Sequence, residues 1–149
     1  MGWVDLHTGP GTNGQGERIF AGGDDRAAAA RARQWWGGAG AKTVASTDDG
    51  TSAPAFLAGP MCCTLHGECP QAEITGITLQ FGTEPAQEVL QALRAEQWLH
   101  LHPEAPPRLA DQIRAQMRAA FHTDTDAWKG QVIAQARQAL FQAVDGLSS

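Results

Sequence analysis

Lysine is nearly missing from this sequence: Lys42 and Lys129 are the two examples in 149 residues. Lys and Arg together number 11 against 16 Asp and Glu, which leaves a formal net charge of −5. That balance excludes a nucleic-acid surface, because binding a phosphate backbone takes clustered cations. Arg108, Arg114 and Arg118 come nearest to a cluster, and they alternate with acidic and amide residues as on a solvated helix face. No apolar run approaches the roughly 20 residues that cross a bilayer, and no charged-then-apolar leader precedes the first strand. A membrane is therefore not an expected partner. Cysteine is also scarce: there are 3, two of them adjacent, which is a poor disulfide framework. Together these absences point to a reducing, cytoplasmic setting.

What is present suits one ordinary α/β domain. Hydrophobic residues make up 42% of the chain, enough for a packed core. Residues 2–6 read as a short apolar strand, followed by a glycine-rich loop over residues 7–16. Asp24 or Asp25 is placed to cap a helix that runs through an alanine-rich stretch to Trp36, where Gly37 and Gly38 end it. Residues 42–45 suit a short strand, and residues 46–72 read as a long irregular connection. The alternation in ITGITLQF (residues 74–81) marks a strand. FGTEP then turns into a helix over residues 86–102. Pro106 and Pro107 start a second helix, with Leu109, Ile113, Met117 and Phe121 on one face. Asp124 or Thr125 caps a third, whose core-facing line is expected at Trp128, Val132, Ala136, Leu140 and Val144. Three strands are few for a sheet that must bury these helices, and no internal repeat is visible.

Four places carry residues able to do chemistry. His7 ends the first strand, where α/β folds bind ligands, and Asp5 before it is able to fix the imidazole tautomer; an ordinary hydrogen-bonded strand-end histidine is the plainer alternative. Gln80 lies between Leu79 and Phe81 and should point away from them. An amide is no general base, whereas Glu84 in the following turn is a carboxylate that can be one, or else simply supports the next helix. Cys62, Cys63, His66 and Cys69 offer sulfur and nitrogen donors of the kind zinc favours, without the second ligand pair typical of a structural site. The loop GPGTNGQGE lacks the Lys and Ser/Thr of a phosphate loop and reads as a turn that needs unusual backbone angles.

The segments WVDLHTGPGTNGQGERI, RQWWGG and ITGITLQFGTEPAQEVLQALRAEQWLHLH, in that order, resemble the C-terminal half of the bacterial domain-of-unknown-function 2817 family, which is similar to zinc carboxypeptidases and their deacylase relatives. The resemblance covers roughly residues 2–104. It implies an α/β fold: the C-terminal portion of a mixed sheet flanked by helices (residues 1–104), with a helical tail packed on the same domain (residues 105–149). It also implies a zinc-dependent hydrolase acting on an amide or ester bond. His7 matches the last zinc ligand of that group, and Gln80 stands where the family places its catalytic Glu. Glu17 is expected to line the pocket, and Arg18 to pair with an anionic substrate group. The family's early HxxE pair has no counterpart here. His66 and Glu68, and likewise His102 and Glu104, have the wrong spacing, and His100 and His102 fall on a helix. The expectation is a C-terminal part, inactive alone, whose partner is a missing N-terminal half or a second copy of the chain. Two other readings stand beside it: a non-catalytic helical interaction module or dead relative, and a zinc knuckle at Cys62, Cys63, His66 and Cys69.

Overall fold

The computed structural model describes residues 1–20, 22, 25–38, 43–46 and 61–149, those at 61–63 and 66 for the backbone alone. Among them are four strands, β1 (Gly2–Asn13), β2 (Gly16–Phe20), β3 (Ala45–Ser46) and β4 (Thr75–Gly82), and five helices, α1 (Arg26–Trp36), α2 (Met61–Glu68), α3 (Ala86–Leu101), α4 (Pro107–Phe121) and α5 (Asp126–Leu147). The strands make one sheet in the order β1-β4-β2-β3. This is the expected mixed α/β architecture, closed by a C-terminal helix.

Two expectations about the elements change. β1 does not stop at Leu6 but continues through the glycine-rich stretch to Asn13. Ladder bonds to β4 hold it there: Thr75 N–H donates to Met1 O and Thr83 N–H to Gly9 O, each at 3.0 Å. The partner residue advances equally on both strands, so the two run parallel. The chain then reverses at Gly14, where φ is +72°, and Gln15 N–H closes the turn on Thr12 O. β2 returns along the other side of β4, and β3 pairs parallel to β2, with Ile19 opposite Ala45 and Phe20 opposite Ser46. The second change lies in the expected irregular connection: α2 occupies part of it, while residues 47–60 lie outside the described residues, as does the alternative cap Asp24.

The chain divides into two compact units. The first comprises residues 1–7, 16–80 and 134–149. Its core gathers Ile19, Phe20, Ala28, Ala32, Trp36, Val44, Ile74, Ile77 and Leu79 with Ala136, Ala139 and Ala143 of α5. Asp25 caps α1 by accepting from Ala28 N at 2.8 Å, and the stripe Ala28, Ala32, Trp36 recurs every fourth residue along the buried face. The Trp36 indole is fully buried, and its Nε1 donates to Ala139 O at 2.9 Å. Arg31 ties the same helix to the start of β4, donating from Nε to Thr75 Oγ1 at 2.7 Å and pairing with Glu73 at 2.7 Å.

The second unit comprises residues 8–15 and 81–133. α3 and α4 form a helical hairpin around Leu99, Ala110 and Ile113, with Ala95 and Ala105 packed against them. The position 104/105 falls inside that hairpin. Pro107 opens α4 at its first turn, where the missing N–H costs nothing. Thr125 Oγ1 accepts from Trp128 N at the start of α5, and Lys129 bonds the Asp124 carboxylate. That hydrogen bond, then the Lys129 and His122 charges, hold Asp124 below the usual carboxylate range.

The expected apolar faces of the last two helices are displaced. On α5, Trp128 and Ala136 are buried as expected, whereas Leu140 and Val144 are exposed and Ala139 and Ala143 take their place. On α4, Ile113 is buried with Ala110 and Ala120, while Leu109 is exposed and Met117 and Phe121 are half-buried. Four-residue steps overshoot a helical turn by about 40° each, so a line drawn only from such steps rotates off the buried face within three of them.

Candidate functional site

The candidate site is built on the pairing of β1 with β4. The ladder bonds that begin at Thr75 and Met1 set Trp3 beside Gly76. A Cβ placed on Gly76 would lie 3.0 Å from Trp3 Cβ, so the two side-chain positions share one face of the sheet. Glycine is the residue that leaves room for the indole there. Each further step of two residues along parallel strands keeps to that face. The register therefore sets Asp5 beside Thr78 and His7 beside Gln80. On β4 the alternation is regular: Ile77, Leu79 and Phe81 are buried, and Gly76, Thr78 and Gln80 are half-buried on the opposite face. Gln80 thus points away from its apolar neighbours, as expected.

His7 lies within β1, not at a strand end, and its side chain is 55% exposed. Asp5, two residues earlier and on the same face, is largely covered at 15% exposure, and its Oδ2 lies 2.9 Å from His7 Nδ1. In the neutral ring, Nδ1–H donates to the carboxylate and Nε2 is left as the acceptor facing outward. A carboxylate behind an imidazole in this way orients metal-binding histidines and raises their basicity. Trp3 completes the row, and its Nε1 is buried with no hydrogen-bond partner among the described residues. Among the described residues, the Asp5 carboxylate lies beside the imidazole, and Gln80 is the register neighbour of His7 on β4.

The other expected residues are placed elsewhere. Glu84 is exposed in the turn before α3, and its main-chain oxygen accepts from Gly11 N at 2.9 Å. Glu17 is exposed on β2. Arg18 is buried at 7% exposure, and its Nη1 donates to Trp36 O at 2.6 Å. Burial lowers its pKa from the ordinary value. The guanidinium expected to meet an anionic substrate closes the last carbonyl of α1 instead, a role suited to a cation at a helix C-terminus. His100 lies on α3, and His102 caps its end, with Nδ1–H donating to Trp98 O at 2.8 Å and its ring stacked on the Trp98 indole at 4.3 Å. Of the proposed knuckle, Cys69 is a half-buried free thiol just past α2; the side chains of Cys62, Cys63 and His66 lie outside the described residues.

Among the described residues no three His, Cys, Asp or Glu side chains come together as a metal-holding group. Against the zinc expectation, His7 with the Asp5 carboxylate behind it offers one nitrogen donor, and among the described residues no further donors gather around it. Among the described residues, no helix is long and apolar enough to cross a membrane.

Two residues that matter to this architecture escaped the sequence reading. Thr83 is buried at 2% exposure, with Oγ1 3.0 Å from Gly9 O and 2.6 Å from Ala120 O. Gly82 lets two strand ends meet: a Cβ there would lie 2.2 Å from Thr12 O. Both belong to FGTEP, where a plain turn was expected; the signal was the small residue and hydroxyl placed directly after three buried alternating positions.

No curated protein and no solved structure matches this chain. One family does, over residues 1–135: the chain belongs to the family described as protein of unknown function (DUF2817).

Proposed function

We propose that this chain contributes one part of a zinc carboxypeptidase-like hydrolase site for an amide or ester substrate, with His7 as one metal donor, Asp5 as its positioning carboxylate and Gln80 beside it. The observation that carries the reading is the 2.9 Å Asp5–His7 pair on a sheet face, with Gln80 as its neighbour on β4. A zinc ion in such a site acidifies bound water and polarises a carbonyl. The remaining donors come, on this reading, from a polypeptide segment other than the described residues. Gln80 can hydrogen-bond a carbonyl or amide group but takes up no proton. The chain by itself is therefore expected to bind without turning over.

The test uses Co²⁺ as a paramagnetic probe for the metal, followed by NMR of the five imidazoles. The His7 ring should broaden first, and His7→Ala should remove the lowest-concentration step. Asp5→Asn should weaken that step by about 10-fold or more, as loss of an orienting carboxylate does. Broadening that begins at His66 while His7 stays sharp would overturn the reading in favour of the cysteine-rich knuckle. Restoring a carboxylate with Gln80→Glu should tighten the His7 step; an unchanged affinity would show that position 80 does not face the metal.

A further inference from the structure

α5 carries two apolar lines. The buried one, Ala136, Ala139 and Ala143, is made of small side chains. The other is made of large ones and faces outward: Leu140 is 53% exposed, Phe141 62% and Val144 59%. Scattered exposed apolar residues are ordinary, but large ones gathered on consecutive turns of one helix mark a contact surface. This part of the helix also lies beyond the residues that match the family.

The charges along this surface say what covers it. Arg137 precedes Phe141 by one helical turn and Asp145 follows it by one, so all three lie along one flank of the stripe. Both charged residues are exposed, and neither pairs with a charged side chain among the described residues. A helix that is basic four residues before its apolar centre and acidic four residues after it is complementary to itself when reversed. If two copies meet antiparallel about a two-fold axis at Phe141, each Arg137 approaches the partner's Asp145, once at either end. The two Phe141 rings then meet across the axis, with Leu140 and Val144 beside them. A parallel pairing would set like charges against each other. Such an interface is isologous and closes at two copies. We propose that the C-terminal half of α5 is the homodimer interface of this protein, antiparallel and centred on Phe141. The proposal is independent of the hydrolase reading, since none of its residues belongs to the β1–β4 face.

Sedimentation velocity of the full chain over a range of concentrations tests it. The wild type should show a monomer–dimer equilibrium. Phe141→Ser should raise the dimer dissociation constant by at least about 10-fold, as loss of a central aromatic anchor does. Arg137→Asp and Asp145→Arg should each weaken the dimer by a comparable factor, because each creates two like-charge contacts. The double variant Arg137→Asp/Asp145→Arg should recover most of the loss. Circular dichroism of each variant confirms that the helix content is kept. A wild type that stays monomeric at its highest soluble concentration would overturn the proposal. So would a dimer that is indifferent to Phe141→Ser, or one that both single reversals weaken and the double fails to restore.

Discussion

Gly82 sits where two strand ends approach closely, and its backbone is bonded on both sides. Its oxygen accepts from Gly14 N at 3.0 Å and from Trp128 Nε1 at 3.1 Å, and its own N–H donates to Gln15 O at 2.9 Å. A methyl group at this position would meet Thr12 O and the Gly11 carbonyl carbon, both backbone atoms that cannot swing aside. Gly82→Ala should therefore cost about 3 kcal/mol of stability, at the upper end for an overpacked site, read as a lower urea midpoint with an unchanged slope. A loss under about 1 kcal/mol would mean that β1 and β4 do not approach so closely here. Thr83 beside it makes a related point: its hydroxyl has one proton for two carbonyls, Gly9 O and Ala120 O, so it joins a strand and a helix end within one unit. Arg18 shows the converse. Next to a glycine-rich loop it reads as a substrate cation, yet it is buried against Trp36 O. Charge alone does not tell a solvent-facing arginine from one that closes a helix: on β2 Glu17 is exposed while Arg18 is buried along with Ile19 and Phe20, and residue type does not separate the two.

At the level of elements, helices with strong end signals were legible. Asp25 caps α1, Pro107 opens α4, Thr125 caps α5, and Gly37 ends α1 where a side chain would strike Arg33 O at 2.4 Å. These signals are local, so they survive without knowledge of the fold. The buried face of α5 is not legible in the sequence, because large apolar residues are expected to point inward. Here the inward line is alanine, which lets the helix come close to Trp36, whose indole bonds Ala139 O. Close approach favours small residues on the inner line and leaves the large ones on the outer one. Ala139→Leu should consequently destabilise the chain by about 1–3 kcal/mol, measured by chemical denaturation and accompanied by a change in Trp fluorescence. A neutral effect would return Leu140 to the core line and remove the outward apolar stripe. The length of β1 was missed for a different reason: Gly9, Pro10 and Gly11 are poor strand formers, and only their pairing with residues 82–84 extends them.

Across the whole molecule, the mixed sheet with helices was readable from the order of alternating and helical segments, and His7, Asp5 and Gln80 were singled out by residue type. What could not be read was that they are neighbours, because strand register depends on pairing between segments far apart in the chain. That register has a consequence at every amide of the strand. Among the described residues β1 is an edge strand, so its successive N–H groups alternate between β4 and the other side. With Thr75 N–H on Met1 O and Thr83 N–H on Gly9 O, the N–H groups of Trp3, Asp5 and His7 point at β4, and those of Val4, Leu6 and Thr8 point away. Hydrogen exchange followed by NMR should find the first three slow and the second three fast. A reversed pattern would mean that β1 is shifted by one residue. A one-residue shift turns every side chain to the other face, which would carry His7 away from Gln80 and leave the imidazole with Asp5 alone.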